Sequence, residues 1–318
     1  MKILLTGAFG NLGLSTLVPL LARGHQVRCI ELNTKRNRKI AKHYDGQIDL
    51  VWGDLTDPKA ASTAVDEQDL IIHLAAIIPP ASEADPDLTY LVNEVGTANL
   101  VRAALAQPQP PCFLLASTYD LYGYTHDQPP PRKSTDPIAV TSCYTRSKKA
   151  AEEAVQASGL NWSILRFGSI IRIALGQFPQ MAFELPVSQR LHIIHTADAG
   201  VAVANAAEHD AVWGKILNIA GGTDCQLRYD VFINGMMVAV GVGALPEQAF
   251  TKQPYTTDWL DTDESQRLLG YQRYGFADIQ AQTAVLLGWQ RHLMPLVQPF
   301  VRRWFLSKSP YWRKQAVE

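Results

Sequence analysis

The chain has 318 residues, 47% of them hydrophobic and 19% charged, which is enough for one large core or a large domain with a smaller one attached. Its 29 basic and 30 acidic residues leave a formal net charge of −1. No global field exists to attract nucleic acid, so the expected partner is a small molecule.

In chain order, Lys2–Thr6 (KILLT) predicts a buried strand, followed by glycines and a helical stretch over Leu12–Arg23. Gln26–Glu31, Ile48–Trp52 and Asp69–Leu74 predict three more strands. Leu88–Ala106 has helical spacing, Cys112–Ser117 reads as a fifth strand, Cys143–Ala157 as a helix and Trp162–Arg166 as a sixth strand. Strands alternating with helices at this spacing imply a parallel sheet covered on both faces. Beyond Arg166 the regularity falls away. Asp198 reads as the N-cap of a helix over Ala199–Glu208, Lys215–Ile219 as one more strand, and Phe276–Leu293 as a helix. Residues 293–314 combine aromatic rings with Arg302, Arg303, Lys308, Arg313 and Lys314. Pro295 and Pro299 there argue against one continuous helix. This tail either docks on its own domain, forms a subunit contact or lies on a membrane surface.

The segments between these elements carry the chemistry. Thr6–Gly13 (TGAFGNLG) places Gly7, Gly10 and Gly13 between the first strand and the first helix, where backbone N–H groups can meet a pyrophosphate. Glu31 ends the second strand, where an acid can bind the ribose hydroxyls of NAD. Asn33, Lys35, Arg36 and Arg38 follow it and offer the alternative of a 2′-phosphate, so NAD is expected and NADP is the alternative. Asp54-Leu55 and Leu74-Ala75-Ala76 follow the third and fourth strands and can line the cofactor. Tyr144 and Lys148 lie four apart on a helix and share a face. An ammonium beside the phenol is expected to lower its pKa and let it pass a proton, with the Thr118 hydroxyl holding the same substrate oxygen.

These motifs together resemble the extended short-chain dehydrogenases/reductases, the NAD-dependent epimerase/dehydratase family. TGAFGNLG, GDLTD (Gly53–Asp57), HLAA, VNEVGTANL (Val92–Leu100), STYDLYG, YTRSK, LRFGSI, IHTADAGVA (Ile194–Ala202), LNIAGG (Leu217–Gly222) and WLDTDESQRLLGY (Trp259–Tyr271) run in the family's order over roughly residues 1–275. The resemblance implies a Rossmann-type doubly wound parallel sheet with a smaller C-terminal substrate-binding domain. Residues 1–170 would form the dinucleotide-binding domain, with 194–220 returning to it, and 171–318 mainly the substrate-binding domain and tail. Tyr144 would be the acid/base, Lys148 its tuner and ribose ligand, and Thr118 the hydroxyl. The cofactor would touch Gly7, Phe9, Gly10, Asn11, Leu12, Gly13, Glu31, Asp54, Leu55, Leu74, Ala75, Ala76, Asn93, Ser117, Tyr144 and Lys148. For Asn93 the alternative is helix packing.

Within the family, dehydratases carry Thr followed by an acid pair or by Ser-Glu. Here the run is Thr118-Tyr119-Asp120, so a full dehydratase is disfavoured. Asp120 is either a base or a loop carboxylate bonded to backbone. Arginines expected for a nucleotide diphosphate are out of step: Arg190, His192 and Lys252 are the nearest candidates, and Arg166-Phe167 replaces Arg-Pro. Ile77, Ile78 and Pro79, with Tyr119 and Tyr124, suggest an apolar rim. Ile78, Tyr119, Asp120 and Ser169 are the candidate substrate residues. His192 and His195 lack an evident third ligand, so no metal site is expected. The widely spaced Cys29, Cys112, Cys143 and Cys225 read as reduced thiols, and the apolar start is too short for a leader or a span, so a cytoplasmic protein is expected. The function expected is NAD(P)-dependent oxidation or reduction at a secondary alcohol or ketone. The alternatives are a sugar-nucleotide epimerase or dehydratase with retained NAD, and a non-catalytic NAD(P) sensor. A homodimer packed through the helices at Leu88–Ala106 and Cys143–Ala157 is expected by the same resemblance.

Overall fold

A computed structural model describes residues 1–174 and 180–312. Seven parallel strands form the main sheet in the order β3-β2-β1-β4-β5-β6-β9. They are β1 (Lys2–Thr6), β2 (Gln26–Glu31), β3 (Asp49–Trp52), β4 (Leu70–His73), β5 (Cys112–Thr118), β6 (Trp162–Phe167) and β9 (Ile216–Ile219). Strand order reverses between β1 and β4, and a crevice at the carboxyl ends of those strands is where such sheets bind ligands. The register pairs Thr6 with His73 and Thr118 with Phe167, so the chemical residues end their strands at one edge of the sheet.

Helices cover both faces. On one, α1 (Asn11–Ala22), α8 (Thr196–Ala207) and α10 (Asp263–Leu269) pack over Leu5, Cys29 and Ile72. On the other, α3 (Pro58–Val65), α6 (Gly96–Leu105) and α7 (Cys143–Gln156) pack over Leu4, Ile71 and Leu115. α2 (Lys35–Ala41) follows β2, and the short α4 (Ala81–Ala84) and α5 (Pro86–Thr89) precede α6. The predicted helix over Leu88–Ala106 is broken by a π-helical turn at Tyr90–Val95.

The smaller sheet has the order β10-β8-β7, from β7 (Ser169–Ile171), β8 (Arg190–His195) and β10 (Gln226–Arg228). It builds a separate apolar cluster with α9 (Tyr229–Ala239), α11 (Phe276–Leu286) and α12 (Met294–Ser307). The chain therefore returns to the main sheet at α8 and β9, whereas β8 belongs to the smaller one.

Two sequence expectations are corrected. The N-cap of α8 is His195, whose Nδ1 accepts from the Ala197 N–H at 3.1 Å. Asp198 is instead buried, accepting from the Arg273 guanidinium and the N–H groups of Arg273 and Tyr274. α12 runs unbroken through Pro299. Pro295 sits in the first turn, where a missing N–H costs nothing, and Pro299 forfeits one bond on an exposed face where water can satisfy the carbonyl. Arg313 and Lys314 lie outside the described residues.

Candidate active site

The glycine turn is built for close backbone approach. Gly7 has φ +65°, and a Cβ there would lie 2.8 Å from the Ala75 nitrogen. A Cβ on Gly13 would lie 2.0 Å from the Gly7 carbonyl oxygen. Gly10 caps α1 without a side-chain bond, and the first turn of α1 holds no acid. The N–H groups of that turn, at Asn11 and Leu12, therefore remain donors for an anion. Phe9 contributes backbone only, because its ring is fully buried in the core. The Phe9 N–H donates to Glu31 Oε1 at 2.9 Å, and Asn37 Nδ2 donates to Glu31 Oε2 at 3.1 Å. Arg36 donates to the Phe9 carbonyl at 2.9 Å. Glu31 is thus fixed at the turn, and burial raises its pKa against the pull of the Phe9 N–H and Arg36.

Across the crevice, Thr6 Oγ1 accepts from the N–H groups of Leu74 and Ala75 at 3.2 and 3.1 Å. Thr6 Oγ1 also lies 2.7 Å from His73 Nδ1, and His73 Nε2 lies 2.9 Å from Thr97 Oγ1. Burial pushes the His73 pKa down to about 3, so the ring is neutral. With Thr6 already accepting twice, the network assigns the His73 proton to Nε2. Asn93 is buried in the π-helical turn. Its Oδ1 accepts from Ile77 N–H at 2.7 Å, and its Nδ2 donates to the Ile77 carbonyl and to Ser147 Oγ. Both amide donors are consumed, so Asn93 holds the segment after β4 onto α7. Asp54 is exposed and accepts from Thr56 N–H, while Leu55 packs in the core. Ile78 is exposed, as is Tyr124.

The carboxyl end of β5 carries the polar cluster. Tyr144 and Thr118 are both buried, and the Thr118 hydroxyl works against the rise in the phenol's pKa. Thr118 also donates to Asp120 Oδ2 at 3.2 Å. Burial pushes Asp120 up to about 6. Its other oxygen lies 3.4 Å from Thr256 Oγ1. Tyr119 Oη meets Ser169 Oγ at 2.6 Å, which ties the end of β5 to the start of β7. Lys148 is buried, and its ammonium donates to the Ala116 carbonyl. Burial lowers its pKa to about 8.

The expected depression of the phenol is not found. Burial, then the negative charge of Asp120, push the Tyr144 pKa up, and the Lys148 ammonium is turned to the β5 backbone instead. The phenol is therefore held neutral.

Three contributors escaped the sequence reading. Glu83 of α4 accepts from the N–H groups of Cys143 and Tyr144 at 3.1 and 3.0 Å, adding an outside cap to the Ser142–Thr145 capping box of α7. Tyr255 and Thr256 reach Asp120 from a distant loop. No periodicity marks any of the three.

Ser117 Oγ, at the same strand end, is buried and makes no hydrogen bond among the described residues. This orphaned hydroxyl, the uncapped α1 and the glycines whose Cβ positions are filled by backbone together fit a dinucleotide lying across the β1–β4 crevice.

Beyond Ser169 the smaller sheet and its helices line a half-open cavity of about 970 Å³. Ile171, Leu191, Ile233, Met237, Met294 and Phe305 are among its walls. Four arginines near the site are matched to acids: Arg190 and Arg132 to Asp258, Arg166 to Glu152, and Arg273 to Asp198; Arg172, which lines the cavity, is not among them. His192 and His195 bond to the Gly221 carbonyl and to Gln282, with burial holding His192 down to about 4.

A switch-point crevice with a glycine turn, beside a Thr/Tyr/Lys cluster, defines a dinucleotide-dependent Rossmann protein of the short-chain dehydrogenase type. The family model described as the NAD dependent epimerase/dehydratase family matches residues 3–171, and the chain belongs to that family. Among curated relatives, UDP-glucuronic acid decarboxylase 4 of Arabidopsis thaliana is 30% identical over 158 residues, 48% of this chain and 34% of that protein. A 3 beta-hydroxysteroid dehydrogenase/Delta 5→4-isomerase of Mycobacterium tuberculosis is 36% identical over 107 residues, 32% of this chain and 28% of that protein. The matches thus span about a third of these relatives' length. A mutant UDP-glucuronic acid 4-epimerase from Bacillus cereus, solved with NAD and UDP-4-deoxy-4-fluoro-glucuronic acid, aligns with a TM-score of 0.77 at 20% identity, covering 90% of this chain and 99% of that one.

Proposed function

We propose that the chain is an NAD-dependent oxidoreductase acting at a secondary alcohol or ketone carried on a bulky apolar body. The observation that carries this reading is the apolar cavity lined in part by Ser169, which is one hydrogen bond from Tyr119, the chain neighbour of Thr118 and Asp120. A nucleotide diphosphate calls for several unpaired guanidinium groups; Arg190, Arg132, Arg166 and Arg273 are each held by an acid, and among the described residues Arg172 is the single arginine lining the cavity. One relative is named for a hydroxysteroid, which is a substrate of the proposed kind.

Bound NAD supplies the hydride acceptor. Glu31 at the glycine turn favours NAD over NADP, because its carboxylate repels a 2′-phosphate. Thr118 and Tyr144 offer two hydroxyls to one substrate oxygen. In reduction the neutral phenol gives its proton to the carbonyl oxygen and is left as phenolate; in oxidation its proton must first leave, by way of the Thr118 hydroxyl to the Asp120 carboxylate, before the phenolate takes the alcohol proton. Lys148 fixes α7 against the end of β5.

Asp120 favours one second reading. A carboxylate with a pKa of about 6 beside the reacting oxygen is a further acid–base group. It would serve a retained-cofactor reaction such as epimerisation, the activity for which the solved UDP-glucuronic acid 4-epimerase is named. Under that reading NADH never accumulates; under the first it appears stoichiometrically with ketone.

The test is Tyr144→Phe. NAD-coupled turnover of apolar secondary alcohols should fall about 10²–10⁴-fold with NAD affinity nearly unchanged. Unchanged turnover, or wild-type protein with no NAD affinity in a titration, would remove the proposal. A protein that only senses the cofactor would be indifferent to the substitution.

A further inference from the structure

We infer that the C-terminal helix α12 docks the protein on an anionic lipid surface. From Ile279 to Val317 the sequence contains no Asp or Glu and six Lys or Arg residues. Large apolar side chains in the same stretch face outward: Trp289 is 71% exposed, Leu296 75%, Phe300 76% and Trp304 51%. A side chain buried in its own domain would not be in this position, so the tail is only half docked. At about 100° per residue, Leu293, Leu296, Val297, Phe300 and Trp304 fall within one arc of about 100°. Arg303 and Lys308 stand at the two edges of that arc, both exposed, and the Lys308 ammonium lies 5.2 Å over the Trp304 ring. Apolar and indole side chains flanked by cations, with no acid in the same stretch of sequence and Glu184 held by the Tyr311 hydroxyl, suit the interface of an anionic leaflet.

The geometry allows docking and not crossing. No helix among the described residues is long and apolar enough to span a membrane. The next face of α12, bearing Met294, Val301 and Phe305, walls the apolar cavity. Docking would therefore bring that cavity to the lipid. The substrate's route from the leaflet rests on the reading under Proposed function, whereas the docking itself does not.

Vesicle co-sedimentation of the full chain tests the inference. Wild-type protein should pellet with phosphatidylcholine vesicles containing phosphatidylglycerol, less with phosphatidylcholine alone, and less as salt rises. The triple variant Leu296→Ser, Phe300→Ser, Trp304→Ser removes only outward side chains and should partition about tenfold less. The pair Arg303→Glu, Lys308→Glu should lose the preference for anionic vesicles. NAD titration of each variant reports folding, and a failure of NAD binding or turnover in the wild type would strike the catalytic reading alone. Wild-type protein remaining in the supernatant with both vesicle types would overturn the docking, as would a triple variant that pellets normally. Sedimentation velocity without lipid covers a second copy as occupant: a dimer that the triple variant dissociates would make the stripe a subunit contact and likewise overturn it.

Discussion

In the proposed reaction Asp120 is the charge that bears most on the phenol's titration. Burial raises its pKa from the ordinary carboxylate value of 3.8 to about 6. The folded state therefore holds this proton more tightly than the unfolded chain. Between about pH 4 and 6 the native state binds more protons, so stability falls as pH rises and stays reduced above pH 6. Asp120→Asn should accordingly stabilise the protein by about 1–2 kcal/mol at pH 8, with the gain gone by pH 4. Denaturant unfolding at the two pH values measures this. The same substitution removes a negative charge that holds the Tyr144 phenol up, so the alkaline limb of turnover should move to lower pH. A variant with unaltered pH–stability and pH–rate profiles would show that residue 120 is solvated and remote from the phenol. Glu83 works through backbone instead. Its carboxylate receives the Cys143 and Tyr144 N–H groups and so fixes where the phenol's helix begins.

Among elements, the contact between α1 and α8 sets the aim of the cofactor turn. Gly200 lies so close to α1 that a Cβ there would stand 2.1 Å from the Ser15 carbonyl oxygen. Ser15 and Thr196 hydroxyls meet at 3.0 Å beside it. Gly200→Ala must push α1 away by its backbone, which no rotamer change can absorb. A cost of about 1–3 kcal/mol in stability is expected, with NAD affinity reduced about tenfold, since the displaced helix starts at Gly10. Thermal unfolding and an NAD titration test the two parts separately; unchanged affinity would mean that the turn is held from β4 alone. This contact also marks where the sequence was legible. Alternating strands and helices and the glycine turn were readable because period and local spacing carry them, whereas Thr118, Tyr144 and Lys148 were singled out together through the family resemblance. Asp198 was misread because a capping residue and a buried acid paired across 75 residues look alike locally. Pro299 was misread because the cost of a proline depends on which carbonyl it leaves bare. Tyr255 and Thr256 were invisible because only the folded chain brings their loop to β5.

At the scale of the molecule, the proposed reaction divides the work between the main sheet and the smaller one, and the Tyr119–Ser169 hydrogen bond joins the end of β5 to the start of β7. The glycine turn and the Thr/Tyr/Lys cluster stand on the larger sheet, while the cavity belongs to the helices of the smaller. A void of about 970 Å³ lined by Ile233, Met237 and Phe305 forfeits dispersion contacts that a closed core would make. Filling it should therefore separate stability from use. Met237→Trp places a ring toward that space from α9. If the cavity holds the body of the substrate, kcat/KM for bulky apolar alcohols should fall about tenfold or more. Turnover of a small secondary alcohol and NAD affinity should be kept, and the thermal midpoint should hold or rise. Equal loss on small and bulky alcohols would mean that the ring disturbs the β5–β7 junction rather than the cavity. Undiminished turnover of the bulky substrate would place its body elsewhere, against the exposed Ile78 rim of the segment that Asn93 holds.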